Sequence, residues 1–143
     1  MTRAAEDPKL NFIQAVPLFQ GLSKKELALA ARVADEVTIP QGKKLFTEGT
    51  LSSEFFIVIE GTVEVTRKGR HLMNCGPGDY LGDISLIVPG NRRASAEAGT
   101  EVRALVMTSR DFLRLLKDVP AVETKVLRYL AARVLESSDH PTS

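Results

Sequence analysis

The chain has 143 residues, 43% hydrophobic and 26% charged, with a formal net charge of +1. That is the length and composition of one globular domain, and the near-zero charge gives no basis for holding nucleic acid or an anionic membrane through bulk charge. No apolar run approaches the roughly 20 residues of a bilayer span, no signal-peptide core opens the chain, and the single cysteine, Cys75, excludes an intramolecular disulfide and suits a reducing cytoplasm.

Residues 1–16 read as a polar segment followed by a short helical turn, Leu10 to Val16, before Pro17. Ser23 and Glu26 then form a capping-box pattern inside a Leu22/Leu27 staple, and Leu27, Ala30, Ala31 and Ala34 recur at helical spacing. A helix from Lys24 to Ala34 follows. From about residue 37 to 107 the pattern changes to short β-rich runs broken by glycine, with turns at Pro40-Gln41-Gly42 and Glu48-Gly49. Phe55 to Ile59 is a continuous apolar run of strand length, whereas Val63 and Val65 alternate with Glu64 and Thr66, as in a half-buried strand. Lys68-Gly69 turns the chain into His71 to Cys75, and Gly76-Pro77-Gly78-Asp79 turns it again. Two further strands, Ala94 to Ala98 and Val102 to Met107, complete a pattern of short strands and glycine turns that predicts a jelly-roll or barrel. Helical spacing returns over residues 109–135: Thr108 and Asp111 can cap one helix, and Pro120 can start the next. The last helix carries Val122, Val126, Leu127, Leu130, Ala131 and Val134, before a polar tail over 136–143. The expected fold is mainly β, a double-stranded β-helix with an N-terminal helical segment and C-terminal helices, as one domain over 17–135.

One stretch carries chemistry: Leu81-Gly82-Asp83-Ile84-Ser85-Leu86, followed by Gly90-Asn91-Arg92-Arg93-Ala94-Ser95-Ala96. Gly82 permits close backbone approach, and Asp83 to Leu86 can open a short helix whose first N–H groups lack intrahelical partners. Free amides at the positive end of a helix suit a phosphate. Arg93 can bring a guanidinium fork to the same phosphate, while Asp83 accepts hydrogen bonds from a neighbouring hydroxyl. A carboxylate and an arginine with separate partners make a ribose-phosphate the economical ligand.

Gly82-Asp83-Ile84-Ser85-Leu86 with Arg93-Ala94-Ser95 resembles the phosphate-binding cassette of cyclic nucleotide-binding domains, the family of the catabolite activator protein, protein kinase A regulatory subunits and cyclic-nucleotide-gated channels. Gly90-Asn91-Arg92-Arg93 is similar to the channel version, and the resemblance runs from about Pro17 to Leu135. It implies a cyclic nucleotide held by Gly82, Asp83, Ile84, Ser85, Arg93, Ala94 and Ser95, within a pocket walled by Val65, Met73, Cys75 and Leu81. Asp83 stands where the family usually has Glu, shorter by one carbon–carbon bond of about 1.5 Å. In the family a hydroxyl directly after the arginine favours guanine; Ala94 has none, which leans towards cAMP over cGMP. Strand alternation turns Ser95 away from Ala94 and would point Arg92 out of the site. The resemblance also implies a C-terminal lid, for which Arg128 and Tyr129 are candidates through cation–π or ring stacking.

No cofactor beyond the nucleotide is implied. A metal-dependent jelly-roll enzyme needs a cluster of ligands, and the two histidines, His71 and His140, are far apart in sequence. No nucleophile–base pairing suggests catalysis. A helix-turn-helix is not expected within the few residues after Leu135, so no nucleic-acid contact is predicted. The role the resemblance implies is a cytoplasmic regulatory module whose C-terminal helices rearrange on ligand binding, acting on an effector in trans or as a fragment of a larger regulated protein. The alternative is a related fold that has lost its ligand and serves protein interaction.

Overall fold

The computed structural model describes residues 8–51, 53–82 and 90–138. Two four-stranded antiparallel sheets are formed by strands β1 (Asp35–Ile39), β2 (Lys44–Phe46), β3 (Glu54–Glu60), β4 (Val63–Arg67), β5 (Arg70–Cys75), β6 (Tyr80–Leu81), β7 (Ser95–Ala98) and β8 (Val102–Thr108). One sheet runs β1-β8-β3-β6 and the other β2-β7-β4-β5. Around them lie α1 (Pro8–Ala15), a 3-10 turn (Pro17–Phe19), α2 (Lys24–Val33), α3 (Ser109–Asp118) and α4 (Pro120–Ser138). This is the mainly-β roll with flanking helices that the glycine-punctuated strands predict.

The continuous apolar run in β3 has a direct structural cause: both of its faces are buried. Phe55 and Ile57 pack with the helices, while Phe56 and Val58 fill the space between the sheets. Strand β8 behaves in the same way, with Leu105 and Met107 towards the helices and Val102 and Ala104 towards the interior. Strand β4 has one covered face, so Val63 and Val65 are buried and Glu64 is exposed. Period-two geometry thus explains both patterns.

The helices are fixed on the outer face of the first sheet. Ser23 caps α2 reciprocally: its hydroxyl accepts the Glu26 N–H at 3.2 Å, and the Glu26 carboxylate accepts the Ser23 N–H at 2.9 Å. Thr108 caps α3 by accepting the Asp111 N–H at 3.1 Å. Phe112 of α3 stacks on Phe55 with ring centroids 3.9 Å apart. Val122 and Val126 of α4 are buried in this outer core, and Lys125 Nζ donates to the carbonyls of Pro17 and Gln20. Of the expected α4 stripe, Leu127 and Ala131 instead face solvent, because the contact with the roll is narrower than the apolar face of the helix.

Arg103 on β8 donates to Glu36 at 2.5 Å and to Glu60 at 3.3 Å, and its pKa is raised chiefly by the hydrogen bond to Glu36. Among the described residues, no helix is long and apolar enough to cross a membrane, and no three His, Cys, Asp or Glu side chains are grouped to hold a metal ion.

Candidate functional site

Gly82 directly follows β6 and adopts φ +92°, a left-handed conformation that favours glycine. A methyl group there would lie 2.6 Å from the Glu54 carbonyl oxygen and 2.8 Å from Arg92 Nη1. The cassette glycine therefore backs directly onto an arginine, and that arginine is Arg92.

Arg92 is 4% exposed, whereas Arg93 is exposed. This reverses the expected orientation of the pair. The expectation assumed strand alternation through both arginines, but β7 begins only at Ser95. The backbone at Arg92 is instead set by the loop between β2 and β3. Arg92 N–H donates to the Thr50 carbonyl at 2.8 Å, and the Arg92 carbonyl accepts the Gly49 N–H at 2.9 Å. Two reciprocal bonds to one loop fix which way this residue faces.

The guanidinium has a defined seat. Nη2 donates to the Glu54 carbonyl at 2.6 Å, and the group lies over the Phe46 ring, 4.2 Å from its centroid. Phe46 is tilted against Phe56 at 6.2 Å between centroids. Since Phe46 ends β2 and Phe56 belongs to β3, the seat draws on both sheets.

The other expected residues are placed as follows. Ala94 is half-buried against the interior cluster, on the face shared by Ala96 and Ala98. Ser95 is buried on the other side, its hydroxyl accepting the Glu48 N–H at 2.9 Å. Val65, Cys75 and Leu81 belong to the interior cluster. Met73 pairs across from Val65 but is 38% exposed, because β5 is an edge strand whose residues 70–74 are all exposed; the Cys75 thiol lies 3.9 Å from the Met73 sulfur. Asp83, Ile84 and Ser85 lie outside the described residues.

Tyr129 is not over the interior. Its ring packs 4.1 Å from that of Tyr80, and its hydroxyl accepts the Tyr80 N–H at 3.4 Å, on the outer face of the first sheet. Arg128 is exposed. Tyr80 faces the helices and its neighbour Leu81 the interior, so α4 touches the strand that leads into Gly82.

Sequence reasoning passed over Phe46, the Glu54 carbonyl and the Gly49-Thr50 loop. Glu48-Gly49 registered as a turn, but nothing local to it announces that it grips a residue more than 40 positions away. Glu48 also accepts the Lys68 N–H at 2.9 Å through its carboxylate, so this loop bridges the arginine and the β4–β5 hairpin.

The pattern of the family described as the cyclic nucleotide-binding domain matches residues 36–119, more than half of the chain. The chain is 34% identical over 126 residues to the "Cyclic AMP receptor protein" of Thermus thermophilus, covering 85% of this chain and 58% of that protein. It is 35% identical over 129 residues to the "CRP-like cAMP-activated global transcriptional regulator" of Mycobacterium tuberculosis, covering 86% and 57%. The crystal structure of the Thermus thermophilus catabolite activator protein superposes with a TM-score of 0.72 at 36% identity, over 86% of this chain and 60% of that one. The chain thus spans less than two thirds of the length of each of these relatives. It belongs to the cyclic nucleotide-binding domain family.

Proposed function

We propose that this domain is a regulatory sensor that binds a cyclic nucleotide, cAMP ahead of cGMP, with Arg92 rather than Arg93 holding the cyclic phosphate. The observation that carries this is the burial of Arg92 against Gly82, the residue that opens the cassette. A guanidinium presents a planar set of N–H donors matched to phosphate oxygens, and a site shielded from water strengthens that attraction. Asp83 takes the ribose hydroxyls, a role that rests on its place after Gly82 in the sequence.

With Arg92 as the phosphate ligand, the position directly after the arginine is Arg93, which has no hydroxyl and is exposed. The Ser95 hydroxyl is engaged by Glu48. Neither favours guanine, and both relatives above carry cAMP in their names. The role is regulatory rather than catalytic, and the effector is a further protein or domain.

The C-terminal helices supply the response. Nucleotide binding at Gly82 shifts β6, and the Tyr80–Tyr129 contact passes that shift to α4. Such a change requires contacts that differ between the two states, and Tyr80 joins the nucleotide side to the helix side.

Calorimetric titration with cAMP and with cGMP tests this reading. Saturable binding with cAMP the tighter ligand is expected. No heat with either would favour a fold that has lost its ligand, the reading for which the shortened Asp83 is the one motive.

A further inference from the structure

We propose that Phe46 is a positioning residue for Arg92, holding the guanidinium in place through a contact that does not itself neutralise its charge. The inference rests on Arg92 as the phosphate ligand.

Two of its contacts orient the group in different ways. The hydrogen bond from Nη2 to the Glu54 carbonyl fixes an edge of the guanidinium. The Phe46 ring, its centroid 4.2 Å from Cζ, supports the group from one side. An arginine at that distance from an aromatic face is attracted by the ring quadrupole, and the attraction grows when water is excluded, as at a side chain 4% exposed. An aromatic ring carries no formal charge, so this contact does not itself neutralise the guanidinium. Phe46 is itself steadied by Phe56 across the roll, with ring centroids 6.2 Å apart. The ring thus acts as a platform anchored in both sheets.

The test separates a platform from a merely space-filling ring. At position 46, Phe46→Leu removes the ring, and trifluorophenylalanine keeps its shape while weakening its quadrupole. Each is made in the Arg92 protein and in Arg92→Ala, and cAMP affinity and thermal midpoint are read. With Arg92 present, Phe46→Leu should weaken cAMP binding about fivefold to thirtyfold, and the fluorinated ring should weaken it by a smaller factor in the same direction. In Arg92→Ala, both effects should fall below about twofold, while any change in thermal midpoint from Phe46→Leu persists.

Equal losses in both backgrounds would show that Phe46 acts independently of Arg92, and full affinity with the fluorinated ring would show that its electrostatics are idle. Either result overturns the inference. Failure of the underlying reading looks different: the unsubstituted protein binds no cAMP, or Arg92→Ala binds it normally.

Discussion

Replacing Gly82 with alanine puts a methyl carbon 2.6 Å from the Glu54 carbonyl oxygen and 2.8 Å from Arg92 Nη1, at a residue with φ +92°. Two costs arise. The left-handed conformation costs a residue with a Cβ about 1–2 kcal/mol, and forcing an extra carbon into a packed site typically costs about 1–3 kcal/mol more. Gly42→Ala separates them, because Gly42 has φ +86° with nothing within 4 Å of an added Cβ. Both substitutions reduce the freedom of the unfolded chain equally, so that contribution cancels in the comparison. Urea denaturation should therefore show Gly82→Ala to be less stable than Gly42→Ala by about 1–3 kcal/mol, with unchanged m-values. The Glu54 oxygen is backbone within β3 and can shift little, so residue 82 itself must be displaced, and the Arg92 guanidinium beside it is disturbed. Gly82→Ala should then also lose at least about tenfold in cAMP affinity, or about 1.4 kcal/mol, while Gly42→Ala retains it. Equal stability losses in the two variants, with normal binding in both, would refute the close approach of Gly82 and Arg92.

Asp83→Glu should preserve or improve cAMP affinity by restoring the family's longer reach to the ribose; calorimetry checks it, and a large loss in a folded variant would mean that the pocket is adapted to Asp. Ser23→Ala should cost about 0.5–2 kcal/mol by removing the cap on the Glu26 N–H, read by urea denaturation. Amide hydrogen exchange over 123–135 should slow when cAMP saturates the protein, and α4 protection that is high and indifferent to ligand would rule out its part in the response.

The strands and helices were legible where local pattern and burial coincide. The apolar run in β3 and the alternation in β4 each report how many faces are covered, and Ser23 and Thr108 announce their helices through side chains that bond within the next turn. Short strands such as β2 and β6 are set by pairing with distant partners, so their own residues say little. The site was legible as a cassette but not in its facing. Arg92 and Arg93 are chemically identical neighbours, and hydrogen bonds to Gly49 and Thr50, on a distant loop, help decide which one turns inward. Phe46 escaped notice for the same reason, since an aromatic residue at a strand end acquires a role only when folding brings a cation over it. Tyr129 lies on the outer face because its helix position depends on how much of α4 the roll can cover, which periodicity alone does not fix.

The central claim is that the buried arginine is the phosphate ligand. It is tested most directly by titrating cAMP into the unsubstituted protein, Arg92→Ala and Arg93→Ala under one buffer condition. Truncating a buried, hydrogen-bonded partner of a charged group typically costs about 2–5 kcal/mol, so Arg92→Ala should weaken binding by roughly thirtyfold or more, while Arg93→Ala changes it less than about threefold. A large loss at Arg93 with Arg92→Ala near normal would contradict the account.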